Sequence, residues 1–139
     1  MGHSRVEVYI HYVWGTIHRE PLVTPEFERL LYRCIQAQCD KLECPVIAIG
    51  GMPDHIHLAV RLNVKLPIWK VMHVVKGTSS AFMRDKLIKP GDMFGWQDGY
   101  GSFSFGGSDT GVVEYIRNQK RHHADGTLWP EVEKLPDDE

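Results

Sequence analysis

One stretch near the middle of the chain decides how the rest is interpreted: Met52-Pro53-Asp54-His55-Ile56-His57-Leu58-Ala59-Val60. It follows two glycines and alternates in polarity, a pattern that predicts the start of a β-strand. Because successive strand side chains point to opposite faces, His55 and His57 share one face, and the intervening apolar residues enter a core on the other. Two imidazoles at this spacing can converge on one divalent metal ion. The other interpretation is two solvated histidines on an open sheet face.

The composition is that of one soluble globular domain. The chain has 139 residues, of which 42% are hydrophobic and 24% charged, so we expect a single domain over residues 1–139. No apolar run approaches the roughly 20 residues of a membrane helix, and no secretory start precedes the first strand-like pattern. The three cysteines lack the paired spacing of a zinc site. We therefore expect a cytoplasmic protein with reduced thiols and no membrane segment.

The charge is unevenly distributed along the chain. The net charge is −2 and the isoelectric point about 6.4, which by themselves argue against nucleic acid as a partner. Residues 65–89, however, carry six basic side chains against one acid, a local charge of +5. Residues 127–139 carry five acids against one lysine, a local charge of −4. The net charge of the whole chain therefore does not reveal the basic middle segment, because an acidic tail that starts at about residue 127 offsets it.

Hydrophobic periodicity predicts strand, helix, strand, strand, helix, strand, and then one extra helix. The predicted strands cover residues 6–14, 45–49, 55–62 and 101–105, and the predicted helices cover 25–41, a segment from 67 to a stop at 89–92, and 111–123. The first six elements match the split β-α-β pattern. The predicted fold class is therefore α+β: a ferredoxin-like sandwich with an antiparallel sheet and an extra C-terminal helix that carries a tyrosine. His11 either joins the histidine face of this sheet or is a partly buried polar residue.

The last predicted helix contains two residues that suggest chemistry, Tyr115 and Gln119. They are four apart and so share one side of the helix. A free phenol has a pKa near 10 and is a poor nucleophile, but a metal that polarises a phosphate offsets this weakness. The amide oxygen of Gln119 can complete a His55/His57 metal site without adding charge. The other interpretation makes Tyr115 a packing residue and Gln119 a surface residue.

Several motifs together resemble one family. Pro53-Asp54-His55-Ile56-His57 is similar to the His-hydrophobic-His motif of the HUH nucleases. Tyr115-x-x-x-Gln119, after Trp96-Gln97-x-Gly99-Tyr100-Gly101-x-Phe103-Ser104, resembles the single-tyrosine transposases of IS200-like insertion sequences. Two further segments are similar to that family: Tyr9-Ile10-His11-Tyr12-Val13-Trp14 with Pro21-Leu22, and Lys76-Gly77-x-Ser79-Ser80. The likeness covers nearly the whole chain in the right order.

The resemblance implies a DNA transposase that cleaves and rejoins single-stranded DNA with hairpin ends. Tyr115 would be the nucleophile, leaving a 5′-phosphotyrosine linkage and a free 3′-OH. His55, His57 and Gln119 would ligate Mg²⁺ or Mn²⁺. Family members are dimers, and the joint at Gly106-Gly107 would let the tyrosine helix complete the active site of the partner subunit in trans.

The second predicted helix is the expected DNA contact, through Lys70, Lys76 and Arg84 on its outer side. The other interpretation of these cations is a solvated helix face. The short, acidic tail leaves a second function open: a domesticated protein that binds hairpin DNA without transposition activity. A metal hydrolase of the His-x-His barrel type is excluded, because such a barrel needs about 250 residues.

Overall fold

The computed structural model of the chain describes residues 2–87 and 93–135. One antiparallel sheet contains four strands in the order β2-β3-β1-β4. They are β1 (Tyr9–Gly15), β2 (Val46–Met52), β3 (His55–Arg61) and β4 (Gly101–Phe105). This order is that of the split β-α-β fold, so the ferredoxin-like prediction is confirmed. The first strand begins three residues later than predicted, because its pairing with β4 ends at Tyr9 opposite Phe105.

Two helices cover one face of the sheet: α1 (Pro25–Lys41) and α2 (Ile68–Phe82). The first begins where predicted, because Pro25 fits the first turn and the preceding Thr24 is extended. The apolar residues of β3 face these helices, as their alternation predicted. The core on this side includes Ile56, Leu58, Val60, Leu31, Ile35, Val71 and Val75.

A third helix, α3 (Thr110–Arg117), packs on the opposite face of the sheet. Its contact with β2 and β3 is made through small or branched residues, Ala48 and Ala59 against Val112 and Ile116. A Cβ atom at Gly50 would lie 2.0 Å from the carbonyl oxygen of Ile116. Gly50 is therefore the residue that lets the helix backbone approach the sheet closely.

The predicted continuous helix over residues 111–123 is wrong in one respect. The chain instead forms α3 and a separate helix, α4 (Gln119–Asp125), with Asn118 between them at φ −107° and ψ 31°. The Asn118 side chain donates a hydrogen bond to the carbonyl oxygen of Glu114 at 2.9 Å. The same carbonyl oxygen also accepts from the Asn118 backbone N–H at 3.0 Å, so the side-chain bond adds to the last turn of α3. The helix start agrees with prediction, since Asp109 accepts from the backbone N–H groups of the first turn.

The C-terminal segment turns back toward the sheet. Gly126 ends α4 in the left-handed region at φ 71°, and a short helix, α5 (Pro130–Glu133), follows. The predicted helix stop at 89–92 and the acidic residues 137–139 lie outside the described residues. Within residues 2–87 and 93–135, no helix combines the length and the apolar character that crossing a membrane requires.

Candidate active site

The histidine pair of β3 is fully buried. His55 is 1% exposed and His57 0%, because the C-terminal helices cover this face of the sheet. The alternative of two solvated histidines on an open sheet face is therefore wrong. The Nε2 atom of His57 has no hydrogen bond of good geometry within the described residues, although the Oε1 atom of Glu133 lies 3.2 Å away. A buried nitrogen without a good hydrogen bond is costly, so this atom is suited to accept a metal ion instead.

Each histidine has a neighbour on its Nδ1 atom. For His55 this is the Oδ1 atom of Asp54, at 2.7 Å. For His57 it is the Nε2 atom of His11, at 2.8 Å. This contact places His11 on the histidine face, and the side chain is also buried, at 2% exposed. Both ligand candidates are thus oriented by a second side chain.

These neighbours set different protonation states. Burial by itself lowers the pKa of His55, but its hydrogen bonds with Asp54 and Glu133 outweigh burial and raise the pKa to about 9. Burial lowers the pKa of His57 below its ordinary value. Burial, with the neighbouring His57, lowers the pKa of His11 to about 3. Without a metal, His55 therefore carries a proton at neutral pH and the other two rings are neutral.

Tyr115 and Gln119 come to the same place from α3 and α4. The Tyr115 ring stands edge-on to His57 with centroids 5.9 Å apart. The Oε1 atom of Gln119 lies 3.4 Å from the Nε2 atom of His55, and its Nε2 atom donates to the carbonyl oxygen of Tyr115 at 3.1 Å. The structure thus brings the four predicted residues together within one chain, and Gln119, which is 1% exposed, is not a surface residue. Gln119 also contacts His123 at 3.1 Å.

Glu133 is the site residue that the sequence analysis missed. Its Oε2 atom lies 3.2 Å from the Nε2 atom of His55, and its Oε1 atom lies 3.2 Å from the Nε2 atom of His57. The same Oε1 atom accepts a hydrogen bond from the hydroxyl of Tyr115. Burial raises the pKa of Glu133, but its contacts with the two histidines outweigh burial and hold the pKa well below its ordinary value. No local pattern marks this acid among those of the tail.

The C-terminal segment that contains Glu133 also covers Tyr115, the candidate nucleophile. Trp129 stacks on the Tyr115 ring, with centroids 4.6 Å apart and an interplanar angle of 5°. The backbone N–H of Trp129 donates to the Tyr115 oxygen at 3.1 Å. Tyr115 is only 2% exposed, and burial together with Glu133 raises its pKa to about 12. In this conformation the phenol is protonated and closed to a large substrate.

Comparison with known proteins identifies the family. Residues 4–119 match the family model described as IS200-like transposase. The chain belongs to the IS200-like transposase family. That assignment covers the histidine motif, the tyrosine and the glutamine in one match.

Solved structures with the same fold include two related to transposition. One is a candidate transposase from Deinococcus radiodurans R1, with a TM-score of 0.66 and 20% identity over 91% of this chain and 97% of that chain. The other is a REP-associated tyrosine transposase bound to a REP hairpin, with a TM-score of 0.65 and 14% identity over 88% of this chain and 74% of that chain. A search of curated proteins found no match.

The donor set of this family member fits a divalent metal ion. Ligand atoms of His55, His57 and Glu133 all lie within 4.8 Å of one another, and the amide oxygen of Gln119 is close by. Imidazole nitrogens and carboxylate or amide oxygens are common ligands of divalent metal ions. The Nε2 atom of His57, whose contact with Glu133 lacks good hydrogen-bond geometry, points to the same conclusion. A cavity of about 450 Å³ beside His55 opens to the surface.

The predicted DNA-binding cations lie apart from this site. Lys76 and Arg84 line a cavity of about 520 Å³ on the α2 side, together with Trp69. The Nζ atom of Lys70 lies 5.9 Å above the Trp69 ring. The Nζ atom of Lys76 donates to three backbone carbonyl oxygens of the loop at residues 97–99, the shortest at 2.6 Å. The structure thus ties Lys76 to this loop, and DNA contact by Lys70, Lys76 and Arg84 stays a prediction.

Proposed function

We propose that the chain cleaves and rejoins single-stranded DNA with hairpin ends through Tyr115. The phenol gives up its proton and its oxygen bonds to phosphorus, the P–O3′ bond breaks, and the released 3′ oxygen takes up a proton. The product is a 5′-phosphotyrosine linkage and a free 3′-OH, and the reverse attack rejoins strands. The observation that carries this proposal is the edge-on contact of Tyr115 with His57, which is one of three side chains that could hold a metal ion.

His55, His57 and Gln119 would hold a Mg²⁺ or Mn²⁺ ion, and Glu133 would add an oxygen donor only while the C-terminal segment is closed over the site. When bound, the ion polarises the phosphate and so offsets the weak nucleophilicity of a phenol. Asp54 keeps the His55 ring oriented, and Gln119 also ties itself to the carbonyl oxygen of Tyr115. Tyr115 on α3 and Gln119 on α4 are therefore tied to each other, while His55 and His57 are held on β3.

The C-terminal segment must leave the site before DNA enters. Glu133 is an anion that contacts both histidines and the Tyr115 hydroxyl, which are the groups a scissile phosphate would contact. Trp129 covers the ring that would attack. A second function, hairpin binding without cleavage, is favoured if this closed state persists in the presence of DNA.

DNA would also contact the α2 side. Lys70 and Arg84 offer charge, and the 55% exposed Trp69 offers a surface on which an unpaired base can stack. One of the solved structures with this fold is bound to a hairpin, which supports hairpin DNA as the partner.

The decisive test is Tyr115→Phe with a labelled single-stranded hairpin oligonucleotide and Mn²⁺. The variant keeps the stacked ring but lacks the attacking oxygen, so the covalent protein–DNA adduct should vanish while binding by gel shift persists. Tyr100→Phe is the matched control and should leave the adduct unchanged. An undiminished adduct in Tyr115→Phe would place the nucleophile elsewhere. Hairpin binding without an adduct in the native protein would favour the second function.

A further inference from the structure

His11 is a buried histidine to which the proposed chemistry gives no role. It lies in β1, opposite Ala59 of β3 on one side and Phe103 of β4 on the other. His57 is two residues before Ala59, so the His11 ring reaches it diagonally on the adjacent strand. Its Nε2 atom is 2.8 Å from the Nδ1 atom of His57, and its ring packs near Phe103 with centroids 6.0 Å apart. An apolar side chain would fill such a position without the cost of burying a polar ring.

The hydrogen bond between the two rings controls which nitrogen of His57 is free. A neutral imidazole has one N–H and one lone pair. If the Nδ1 atom of His57 carries the proton and donates to His11, the Nε2 atom of His57 keeps a lone pair, which can bind a metal ion but is repelled by the Glu133 carboxylate that lies 3.2 Å away in the closed state. If His11 donates instead, the Nε2 atom of His57 carries a proton and cannot ligate.

We infer that His11 is a positioning residue that holds His57 in the ligating form, a role that rests on the proposed function. It accepts the Nδ1–H of His57 and keeps the ring turned so that the Nε2 atom meets the metal. Asp54 has the same relation to His55. Partners of this kind, on the far side of a ligating ring, change metal affinity by about 10- to 100-fold.

The test compares His11→Phe with His11→Gln. Phenylalanine fills the space but accepts no hydrogen bond, whereas the side-chain oxygen of glutamine can accept one from His57. We expect the Mn²⁺ dissociation constant, measured by electron paramagnetic resonance, to rise about 10- to 100-fold in His11→Phe. His11→Gln should restore most of the affinity. Circular dichroism checks that each variant is folded.

A second measurement needs no variant at this position. In ¹⁵N-histidine spectra of the native protein with Mg²⁺, the proton of His57 should be on its Nδ1 atom. A proton on its Nε2 atom, native Mn²⁺ affinity in His11→Phe, or equal losses in His11→Phe and His11→Gln would each overturn the inference. His57→Ala separates the two proposals: if it binds Mn²⁺ like the native protein, the proposed metal site itself fails.

Discussion

The two histidines of the proposed metal site have partners of different charge. The Nδ1 atom of His55 faces the carboxylate of Asp54, whereas that of His57 faces the neutral ring of His11. In the absence of metal, His55 is therefore protonated at neutral pH and His57 is not. An ion that enters the site must displace one proton, and that proton comes from His55.

Mn²⁺ affinity should consequently rise with pH. Because the metal-free pKa of His55 is about 9, protons compete with the metal below that pH, and each pH unit should change the affinity about tenfold. The rise should level off as the pH passes 9. Isothermal titration between pH 6.5 and 9.5 measures this.

Asp54→Asn is the control for that titration. It removes a hydrogen-bonding carboxylate that raises the pKa of His55, so the affinity should level off at a lower pH. An affinity independent of pH in the native protein would contradict the assignment of the proton to His55.

At the scale of elements, the short helix α5 is held to the sheet face by one charged side chain. Among the described residues of α5, only Glu133 makes a charged contact with that face. A hydrogen bond to a charged group contributes about 1.5–3 kcal/mol, so one side chain can shift the closure of this segment by about 10- to 100-fold. Glu131 lies in the same turn but is exposed, which makes it a matched control.

We expect Glu133→Ala to increase the rate of adduct formation about tenfold or more with Mn²⁺ in excess, because the closed state loses its anchor. Glu131→Ala should behave like the native protein. The measurement is the initial rate of covalent adduct on labelled DNA. If Glu133→Ala instead loses both the adduct and Mn²⁺ binding, Glu133 acts as an essential ligand and does not hinder cleavage.

The outer side of α2 is the second element with a prediction. Each phosphate contact on single-stranded DNA contributes a slope of about −0.7 in log K against log salt. Lys70→Ala with Arg84→Ala should therefore make the slope shallower by about 1.4. The control is Arg29→Ala with Arg33→Ala, which removes the same charge from exposed positions of α1. Equal changes in both double variants would mean that only net charge matters.

At the scale of the whole molecule, the question is how many chains make one site. Tyr115 stands beside His57 of its own chain, and Gly107 is packed against the ring of Tyr9. These contacts support a site completed in cis. The homodimer with sites in trans, which the family resemblance implied, stays a prediction that one chain does not test.

Mixing Tyr115→Phe with His57→Ala protein distinguishes the two arrangements. If each site is formed within one chain, every chain in the mixture carries one inactivating substitution, so we expect no adduct to be recovered. Mass spectrometry verifies that the subunits have exchanged. In a trans arrangement, one site of each mixed dimer would be intact, and the adduct would form on the His57→Ala chain. Recovery of that adduct would therefore reject the cis arrangement.

The sequence by itself determined the order of strands and helices, the histidine face of β3 and the spacing of Tyr115 from Gln119. These features are local: alternation of period two, helical spacing and a proline at a helix start are written in neighbouring residues. The helix break at Asn118, where φ is −107° and ψ 31°, escaped prediction, because the regular spacing of residues 111–123 runs across it.

Only the tertiary structure decided which distant residues complete the site. Glu133 reaches His55 and His57 because Gly126 turns the chain back, and Tyr115 reaches them because Gly50 lets α3 approach the sheet. The register between β1 and β3 decides that His11 contacts His57. Such contacts join residues tens of positions apart, and no periodicity in the sequence encodes them, since they depend on how whole elements pack.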